Sequence, residues 1–266
     1  MMQLWTLTRG DSPLIVDIPH AGTHVPDAIA LRLTDAARVA PDTDWHVEAL
    51  YGFAGMTGAT VIAATHSRYV VDLNRDPSGA ALYPGADNTE LCPMRTFANE
   101  PIYADGFAPS EGEIVARRSI FYDPYHRMLA SEIERVRACH GYAILLDAHS
   151  IRSEVPRFFA GRLPDLNLGT ARGTSCAENV ARLAIDVLAA APSFSHVADG
   201  RFTGGYVTRH YGRPAEGTHA LQLEIGQSCY MDESPPFRYD PSRAAPLIGV
   251  LERLVIALSE CRPIKT

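Results

Sequence analysis

The chain has 266 residues, of which 46% are hydrophobic and 21% are charged, a globular composition that excludes a disordered or collagen-like chain. Its 31 acidic side chains outnumber the 24 Lys and Arg side chains, and the formal net charge is -7. Because binding to nucleic acid rewards clustered basic residues, we expect no nucleic-acid partner. A few local arginines are nevertheless enough to bind a small anionic substrate against the global charge.

The cysteines and the apolar runs indicate a cytoplasmic protein. The five cysteines are Cys92, Cys139, Cys176, Cys229 and Cys261. None forms a CxxC pair, which is typical of reduced thiols and argues against a zinc ribbon or a dithiol redox motif. Residues 1–13 predict no secretion signal, and every apolar run is far shorter than the roughly 20 residues of a membrane helix. We expect no membrane partner, and the composition leaves a homo-oligomer open.

In the first half of the chain, short apolar runs precede a long irregular segment. Leu14–Ile18 is a β-rich run that ends at a proline and predicts a buried strand. Residues 44–54 have the apolar spacing of a helix, and residues 59–64 and 69–73 predict two further strands. Residues 74–109 are rich in Pro, Gly, Asp and Asn, which predicts a long loop of the kind that is usually functional.

In the second half, longer helices alternate with strands. Residues 113–139 predict a helix that is interrupted near Asp123-Pro124 and ends before Gly141. Residues 142–146 predict a buried strand, and residues 151–170 an irregular insertion.

The last three predicted elements are a helix, a strand and a closing helix. Residues 174–191 predict the first helix, in which Ser175 and Glu178 fit a capping box. Residues 220–225 predict a strand, and residues 241–259 a helix with one apolar face. The alternation of strands and helices predicts a single α/β domain over residues 1–266, with a mostly parallel sheet. Ligands of such sheets bind beyond the carboxyl ends of the strands, so the polar residues there are the candidates for a site.

Two histidines and a buried carboxylate lie at these strand ends. His20 follows the first strand, His149 follows the strand at 142–146, and Glu224 lies within the strand at 220–225. Two histidines and a carboxylate are the usual ligands of a catalytic zinc ion, and Glu224 is our candidate for the general base. Asp147 shares a strand face with His149 and is placed to orient it. The alternatives are hydrogen-bonded structural histidines and a buried ion pair at Glu224.

Several cations accompany these residues. Arg68, Asn74 and Arg75 suit a clamp for a substrate carboxylate, since arginine offers paired donors, although a surface salt-bridge network is the alternative. Arg209 follows a glycine-rich stretch and adds another cation. The chain has no GxSxG, Walker A, GxGxxG or HExxH motif.

Taken together, these segments resemble the N-formylglutamate amidohydrolase family over nearly the whole chain. The segments are Pro19-His20-Ala21-Gly22, Asp42-Thr43-Asp44-Trp45-His46, Ser67-Arg68-Tyr69-Val70-Val71-Asp72-Leu73-Asn74-Arg75, Leu82-Tyr83-Pro84-Gly85, Asp147-Ala148-His149-Ser150 and Leu223-Glu224-Ile225-Gly226. The stretch from Ser67 to Arg75 is the most specific of them.

The resemblance implies a zinc-carboxypeptidase-like fold, which is a mixed, mainly parallel sheet with helices on both faces. It implies one zinc ion per chain and hydrolysis of N-formyl-L-glutamate to L-glutamate and formate, a step of histidine breakdown. His20 and His149 would bind the zinc ion, and Glu224 would be the general base. Arg68 would bind substrate and stabilise the oxyanion, and Asn74 and Arg75 would hold one carboxylate.

One departure concerns the third metal ligand. Carboxypeptidases and aspartoacylases use HxxE, whereas Thr23 stands three residues after His20. Asp44 is the expected replacement because the Asp-Thr-Asp element belongs to the deformylase pattern, and His24 is its competitor. On spacing alone, a cap of the helix that starts at Trp45 is the favoured role of Asp44.

The remaining choices concern the second substrate carboxylate and the rival activities. Arg209 is our candidate for that carboxylate. The rivals are a hydrolase of another N-acyl acidic amino acid, a non-catalytic dicarboxylate-binding relative, and a sugar or cell-wall hydrolase with an aromatic groove.

Overall fold

The computed structural model describes residues 3–82 and 85–264. Its strands are β1 (Trp5–Thr8), β2 (Leu14–Ile18), β3 (Thr60–Ala64), β4 (Ala143–Ile151), β5 (Leu166–Gly169), β6 (His196–Ala198) and β7 (Thr218–Gly226). Its α-helices are α1 (Asp27–Ala30), α2 (Asp35–Arg38), α3 (Val47–Leu50), α4 (Glu111–Arg117), α5 (Asp123–His140), α6 (Glu178–Ala189), α7 (Tyr206–Tyr211) and α8 (Pro241–Glu260). Segments 3–82 and 85–264 contain no helix long and apolar enough to cross a membrane.

The strands form one seven-stranded sheet in the order β1-β3-β2-β4-β7-β5-β6. The four central strands, β3, β2, β4 and β7, are parallel to one another. At the two sides, β1 is antiparallel to β3, and β5 is antiparallel to β7. The sheet is therefore mixed and mainly parallel, as predicted.

Helices cover both faces of the sheet, which confirms the predicted layers. On one face, α8 buries its predicted apolar stripe against β2, β4 and β7. That stripe consists of Leu247, Val250, Leu251, Leu254, Val255 and Leu258. On the other face, α5 packs Leu129, Ile133 and Val136 against the alternate side chains of the same strands. Because both faces are covered, the central strands are apolar almost throughout, and a polar residue within them needs a partner.

β4 is longer than predicted, and its length matters for the site. The strand runs from Ala143 to Ile151, and all nine of its residues are buried. Asp147 and His149 therefore lie inside the strand rather than after it. Since side chains two residues apart point to the same face, the two project together, as expected from their spacing.

The predicted strand at 69–73 is wrong, because this buried segment contains a turn at Arg68–Val70 and does not join the sheet. Its carbonyl groups are bound by side chains instead of a neighbouring strand. Arg117 donates to the carbonyls of Tyr69 and Val70, and Tyr103 also donates to Tyr69. Apolar burial alone does not distinguish such a segment from a strand.

The helix predicted over 44–54 is reduced to α3. His46 precedes α3 in the left-handed conformation, with φ of 63°, which breaks the helical path. The capping box at Ser175 is also wrong. α6 begins at Glu178, and the Ser175 hydroxyl donates to the Ala220 carbonyl of β7.

Other differences lie in the loops and short elements. The insertion at 151–170 contains β5, and β1, β6 and α7 escaped prediction because they are only three to six residues long. Within 74–82 and 85–109 the structure has neither helix nor strand, which confirms the long loop. The matched residues Tyr83 and Pro84 lie outside the described part.

Candidate metal centre and substrate cavity

A cavity opens at the carboxyl ends of β2, β4 and β7, where the sheet order brings the three strands side by side. It encloses about 470 Å³ of space, its open mouth included. Its lining residues are His20, Asp44, Arg68, Asn74, Arg75, Leu82, Phe97, His149, Ser150, Ile151, Phe158, Phe202, Gly205, Gln222 and Glu224. Most of the predicted site residues therefore share one cavity.

His20, Asp44 and His149 form a buried cluster with the donor atoms of a metal site. One ligand atom from each lies within 4.8 Å of the other two. Nδ1 of His149 is 3.0 Å from Oδ2 of Asp44, and Nδ1 of His20 is 3.9 Å from the same oxygen. Nδ1 of His20 is buried and has no hydrogen-bond partner in the described part of the chain. An orphaned imidazole nitrogen facing a carboxylate and a second imidazole fits a zinc ion, which prefers nitrogen and oxygen ligands in this number.

Local structure fixes Asp44 between the two histidines, although it is far from both in sequence. Its backbone N–H donates to the His20 carbonyl at 3.1 Å, and its Oδ2 accepts from the Ser150 N–H at 3.0 Å. The structure thus gathers Asp44, and not His24, with the two histidines. His24 lies instead against His66, with ring centroids 4.8 Å apart.

The far nitrogen of each histidine is held by a carboxylate. Nε2 of His20 is 2.8 Å from Oδ1 of Asp72, and Nε2 of His149 is 2.7 Å from Oδ1 of Asp147. Such a carboxylate accepts the N–H of Nε2 and so fixes the tautomer. The lone pair of Nδ1 is then free to bind a metal, which is the usual arrangement around ligating histidines. Both rings are therefore set to present Nδ1 towards Asp44.

The surroundings of the cluster shift the pKa values of the two histidines in opposite directions. Burial and the nearby Arg68 lower the pKa of His20, which favours the neutral, ligating form. Burial opposes the charged form of His149 as well, but Asp147 and Asp44 raise its pKa well above the ordinary value. Burial likewise opposes ionisation of Asp72, yet Arg75, His20 and Arg68 hold the pKa of Asp72 well below its ordinary range.

Arg68 is buried inside this carboxylate network rather than on the surface. Its Nη2 donates to Asp72 at 2.9 Å, and its Nη1 contacts Asp44 at 3.3 Å and the Asp42 carbonyl at 3.1 Å. The guanidinium also lies over the Phe97 ring, 4.9 Å from its centroid. Among the described residues, Nε of Arg68 has no hydrogen-bond partner. The alternative of a surface salt-bridge network is therefore wrong for Arg68.

Glu224 lies in the cavity wall on β7, directly beside His149 in the strand register. Within the described chain it makes no ion pair, so the ion-pair alternative is wrong. Its Oε2 accepts a hydrogen bond from Nε2 of Gln222 at 3.1 Å. Burial raises the pKa of Glu224 to about 8. A carboxylate with this raised basicity in a cavity is a candidate for proton transfer.

Arg75 and Asn74 line the same cavity, but their side chains have different hydrogen-bond partners. Arg75 donates to the hydroxyl and carbonyl of Thr89, and the nearest carboxylate, Asp72, is 3.8 Å away. The Asn74 amide is fully engaged, because Nδ2 donates to Asp147 and Oδ1 accepts from the Val207 N–H.

Arg209 lies outside the cavity lining. Its guanidinium donates to the Leu82 carbonyl at 2.7 Å and to the Thr203 hydroxyl at 3.1 Å. Since Leu82 does line the cavity, Arg209 contacts the long loop where that loop borders the cavity.

Sequence reasoning gave no role to Asp72 and did not single out Gln222. A signal existed for Gln222, because Gln222 and Glu224 are polar residues two positions apart within an apolar strand. Side chains so spaced share one face, and a buried polar pair of this kind needs mutual hydrogen bonds.

The fold and cavity define a class of protein, an α/β enzyme whose site combines a buried histidine–carboxylate cluster with nearby arginines. A family model described as N-formylglutamate amidohydrolase matches residues 12–231, and the chain belongs to that family. The resemblance seen in the sequence is thereby confirmed.

Individual relatives extend the match to nearly the full chain. N-formylglutamate deformylases of Pseudomonas putida and Pseudomonas aeruginosa are each 46% identical over 258 residues, covering 97% of this chain and 96% and 97% of theirs. The crystal structure of N-formylglutamate amidohydrolase from Ralstonia eutropha superposes with a TM-score of 0.82 at 27% identity, covering 97% of this chain and 98% of that one. A gene product of Agrobacterium tumefaciens shares the fold, with a TM-score of 0.70 at 20% identity over 97% and 94% of the two chains.

Proposed function

We propose that this protein hydrolyses N-formyl-L-glutamate to L-glutamate and formate, and that the reaction depends on one zinc ion per chain. The observation that carries the proposal is the buried His20–Asp44–His149 cluster, which shares one cavity with Glu224 and Arg75. The names of the 46% identical relatives supply the substrate. We further propose that the reaction belongs to histidine breakdown and takes place in the cytoplasm.

In this proposal His20, Asp44 and His149 hold the zinc ion. When bound, it would polarise the formyl carbonyl and make a nearby water more acidic. Glu224 accepts the proton of the attacking water and then delivers it to the amine of the departing glutamate. Arg68, which lines the cavity, adds positive charge beside the developing oxyanion.

The two carboxylates of the substrate require cations in or beside the cavity. Arg75 lines the cavity, and within segments 3–82 and 85–264 its hydrogen-bond partners are a hydroxyl and carbonyls, with Asp72 at 3.8 Å; we therefore assign it the first carboxylate. Asn74 forms the adjoining wall, held in place by Asp147 and α7. Arg209 is proposed for the second carboxylate at the cavity mouth, where it contacts Leu82.

The order of the sheet also supports a single domain over residues 1–266. One sheet contains all seven strands, and α8 packs back across β2, β4 and β7. The site draws its residues from the first strands and the last strand alike, so it forms only when that sheet is complete.

Formate release from N-formyl-L-glutamate tests substrate and metal together. We expect release that stops after treatment with a chelator and returns when zinc is added. Glu224→Gln should bind zinc normally and lose at least about a thousandfold in kcat if Glu224 is the base. Wild-type turnover by zinc-loaded Glu224→Gln would refute that role.

A substrate panel separates the related activities. N-formyl and N-acetyl derivatives of glutamate and aspartate should show the highest kcat/KM for N-formyl-L-glutamate. A higher value for another member would assign the enzyme to a different N-acyl acidic amino acid. Tight binding of a dicarboxylate without any hydrolysis would instead indicate a non-catalytic relative.

A further inference from the structure

The hydrogen bond between Gln222 and Glu224 has a fixed direction. The backbone N–H of Gly205 lies 2.7 Å from Oε1 of Gln222 and can only donate. The amide oxygen must therefore face Gly205, so the amide nitrogen faces Glu224. Gln222 is 4% exposed, and both ends of its amide are used.

This direction distinguishes the two oxygens of Glu224. Oε2 accepts from Gln222, whereas Oε1 accepts from no described residue and is not among the fully buried polar atoms without a partner. Because Glu224 lines the cavity, Oε1 is the oxygen that is open to it. The hydrogen bond from Gln222 occupies a lone pair of Oε2, whereas Oε1 remains available to accept a proton from the cavity side.

The amide also ties Glu224 to the opposite wall. Gly205 precedes α7, and a Cβ at Gly205 would lie 2.4 Å from Nδ2 of Asn74, so only glycine allows this approach. Asn74 in turn accepts from Val207 in α7 and donates to Asp147, the partner of His149. Gln222, the partner of Glu224, therefore binds this segment at Gly205. Asn74 binds the same segment at Val207 and also binds Asp147 behind the candidate ligand His149.

We propose that Gln222 is a positioning residue, whose amide aims Oε1 of Glu224 into the cavity by holding Oε2. The inference rests on the proposed role of Glu224 as the base. It requires that Gln222 affect the chemical step rather than substrate binding, since Gln222 contacts Glu224 and Gly205 and carries no charge to attract the substrate.

Two substitutions separate positioning from packing. Gln222→Leu removes both hydrogen bonds. Gln222→Glu keeps an acceptor for Gly205 but presents a carboxyl group to Glu224, which either repels it or shares a proton with it. Each variant should lower kcat about ten- to hundredfold, the usual cost of a lost hydrogen bond to a charged group, with KM within about twofold. The zinc content should stay at the wild-type level.

His219 provides the matched control on the same strand. It is buried, and its Nδ1 accepts from the Ala177 N–H at the start of α6, away from the cavity. His219→Leu leaves a backbone N–H unpaired, as Gln222→Leu does, and should lower the melting temperature similarly without changing kcat.

The outcomes decide between the two levels of the proposal. If zinc-loaded Gln222→Glu keeps kcat within twofold while Glu224→Gln is inactive, Gln222 is structural and the positioning role is refuted. An equal loss of kcat in His219→Leu refutes it too. If Glu224→Gln itself keeps wild-type turnover, the base assignment fails first, and the role of Gln222 falls with it.

Discussion

Arg68 and Arg75 line the same cavity, but their hydrogen-bond partners indicate different roles. Arg68 contacts two carboxylates, Asp44 and Asp72, within 3.3 Å. In the described structure, the partners of Arg75 at hydrogen-bond distance are a hydroxyl and carbonyls, with Asp72 at 3.8 Å. A guanidinium hydrogen-bonded to two carboxylates mainly stabilises them, whereas one whose nearest described carboxylate lies 3.8 Å away retains more attraction for an incoming anion.

The comparison shows that a cation in a site has to be judged by its partners and not by its position. Arg68 binds both Asp72, which holds His20, and the candidate ligand Asp44, so its main role is to stabilise the metal centre. Arg75 belongs mainly to the substrate. The two arginines should therefore fail differently when they are replaced.

The largest effect should come from Arg68→Met. It removes the cation that is hydrogen-bonded to the buried Asp44 and Asp72, and losing one partner of a buried ion pair costs about 3–5 kcal/mol. We expect lower stability in urea, loss of bound zinc and no measurable turnover. Arg117→Met is the control, because Arg117 is a buried arginine that does not line the cavity. It should lose stability yet keep zinc and kcat; equal zinc loss in both variants would contradict the assignment of Arg68.

Arg75→Met should act on substrate affinity instead. We expect KM for N-formyl-L-glutamate to rise about a hundredfold, with bound zinc unchanged, because an unscreened charge pair in a cavity is worth a few kcal/mol. Steady-state kinetics and metal analysis measure both quantities.

The control for Arg75 has to loosen the same loop without removing the cavity cation. Arg157 also binds this loop, through Asp87 and the Thr96 carbonyl, and does not line the cavity. Arg157→Met should leave KM within a few fold of wild type. A change in kcat alone for Arg75→Met would place Arg75 with Arg68.

A smaller effect is expected where a carboxylate supports a histidine. Asp147→Asn removes the charge behind His149, and loss of such a partner typically weakens metal binding about ten- to hundredfold. Asp72→Asn should weaken it more, since Asp72 also faces Arg68. Competition with a chelator measures zinc affinity. Glu132→Gln, a buried carboxylate remote from the cavity, should leave it unchanged; unchanged affinity in Asp147→Asn would mean that His149 is not a ligand.

The sequence predicts the parts of this site that depend on strand periodicity. β2, β4 and β7 are apolar runs, so His20, His149 and Glu224 are recognisable as polar residues at the ends or inside of buried strands. The two-residue spacing of Asp147 and His149 is by itself enough to predict that they share one face. The order of the parallel strands follows from alternation with helices only in outline.

The parts that depend on loops were not predictable from the residues alone. Asp44 reaches the histidines because its backbone binds the His20 carbonyl and its side chain binds Ser150, contacts between segments more than twenty residues apart. The segment at Arg68 mimics a strand in hydrophobicity, but side chains instead of a neighbouring strand bind its carbonyls. Local patterns carry no information on such long-range hydrogen bonds.

The smallest effect concerns Glu113, which binds two arginines outside the cavity. Its replacement measures how much an ordinary ion pair contributes to the stability of this fold. Hydrogen bonds from Arg32, together with Arg117, lower the pKa of Glu113 from an ordinary value of 4.5 to about 2. Because the folded state binds this proton more weakly than the unfolded state, the stabilisation is complete above pH 4.5 and is lost as the pH falls towards 2.

We expect Glu113→Gln to lower the free energy of unfolding by about 1 kcal/mol at pH 7, since the group is only partly buried and screened by solvent. Urea denaturation of both proteins at pH 7, 5 and 3.5 should show the difference shrinking only at the lowest pH. Glu134→Gln, which breaks an exposed pair with Arg137, should change nothing measurable. A difference for Glu113→Gln as large as that for Arg68→Met would mean that the metal centre gains no special stability from its arginine, and that Arg68 is one ion-pairing residue among several.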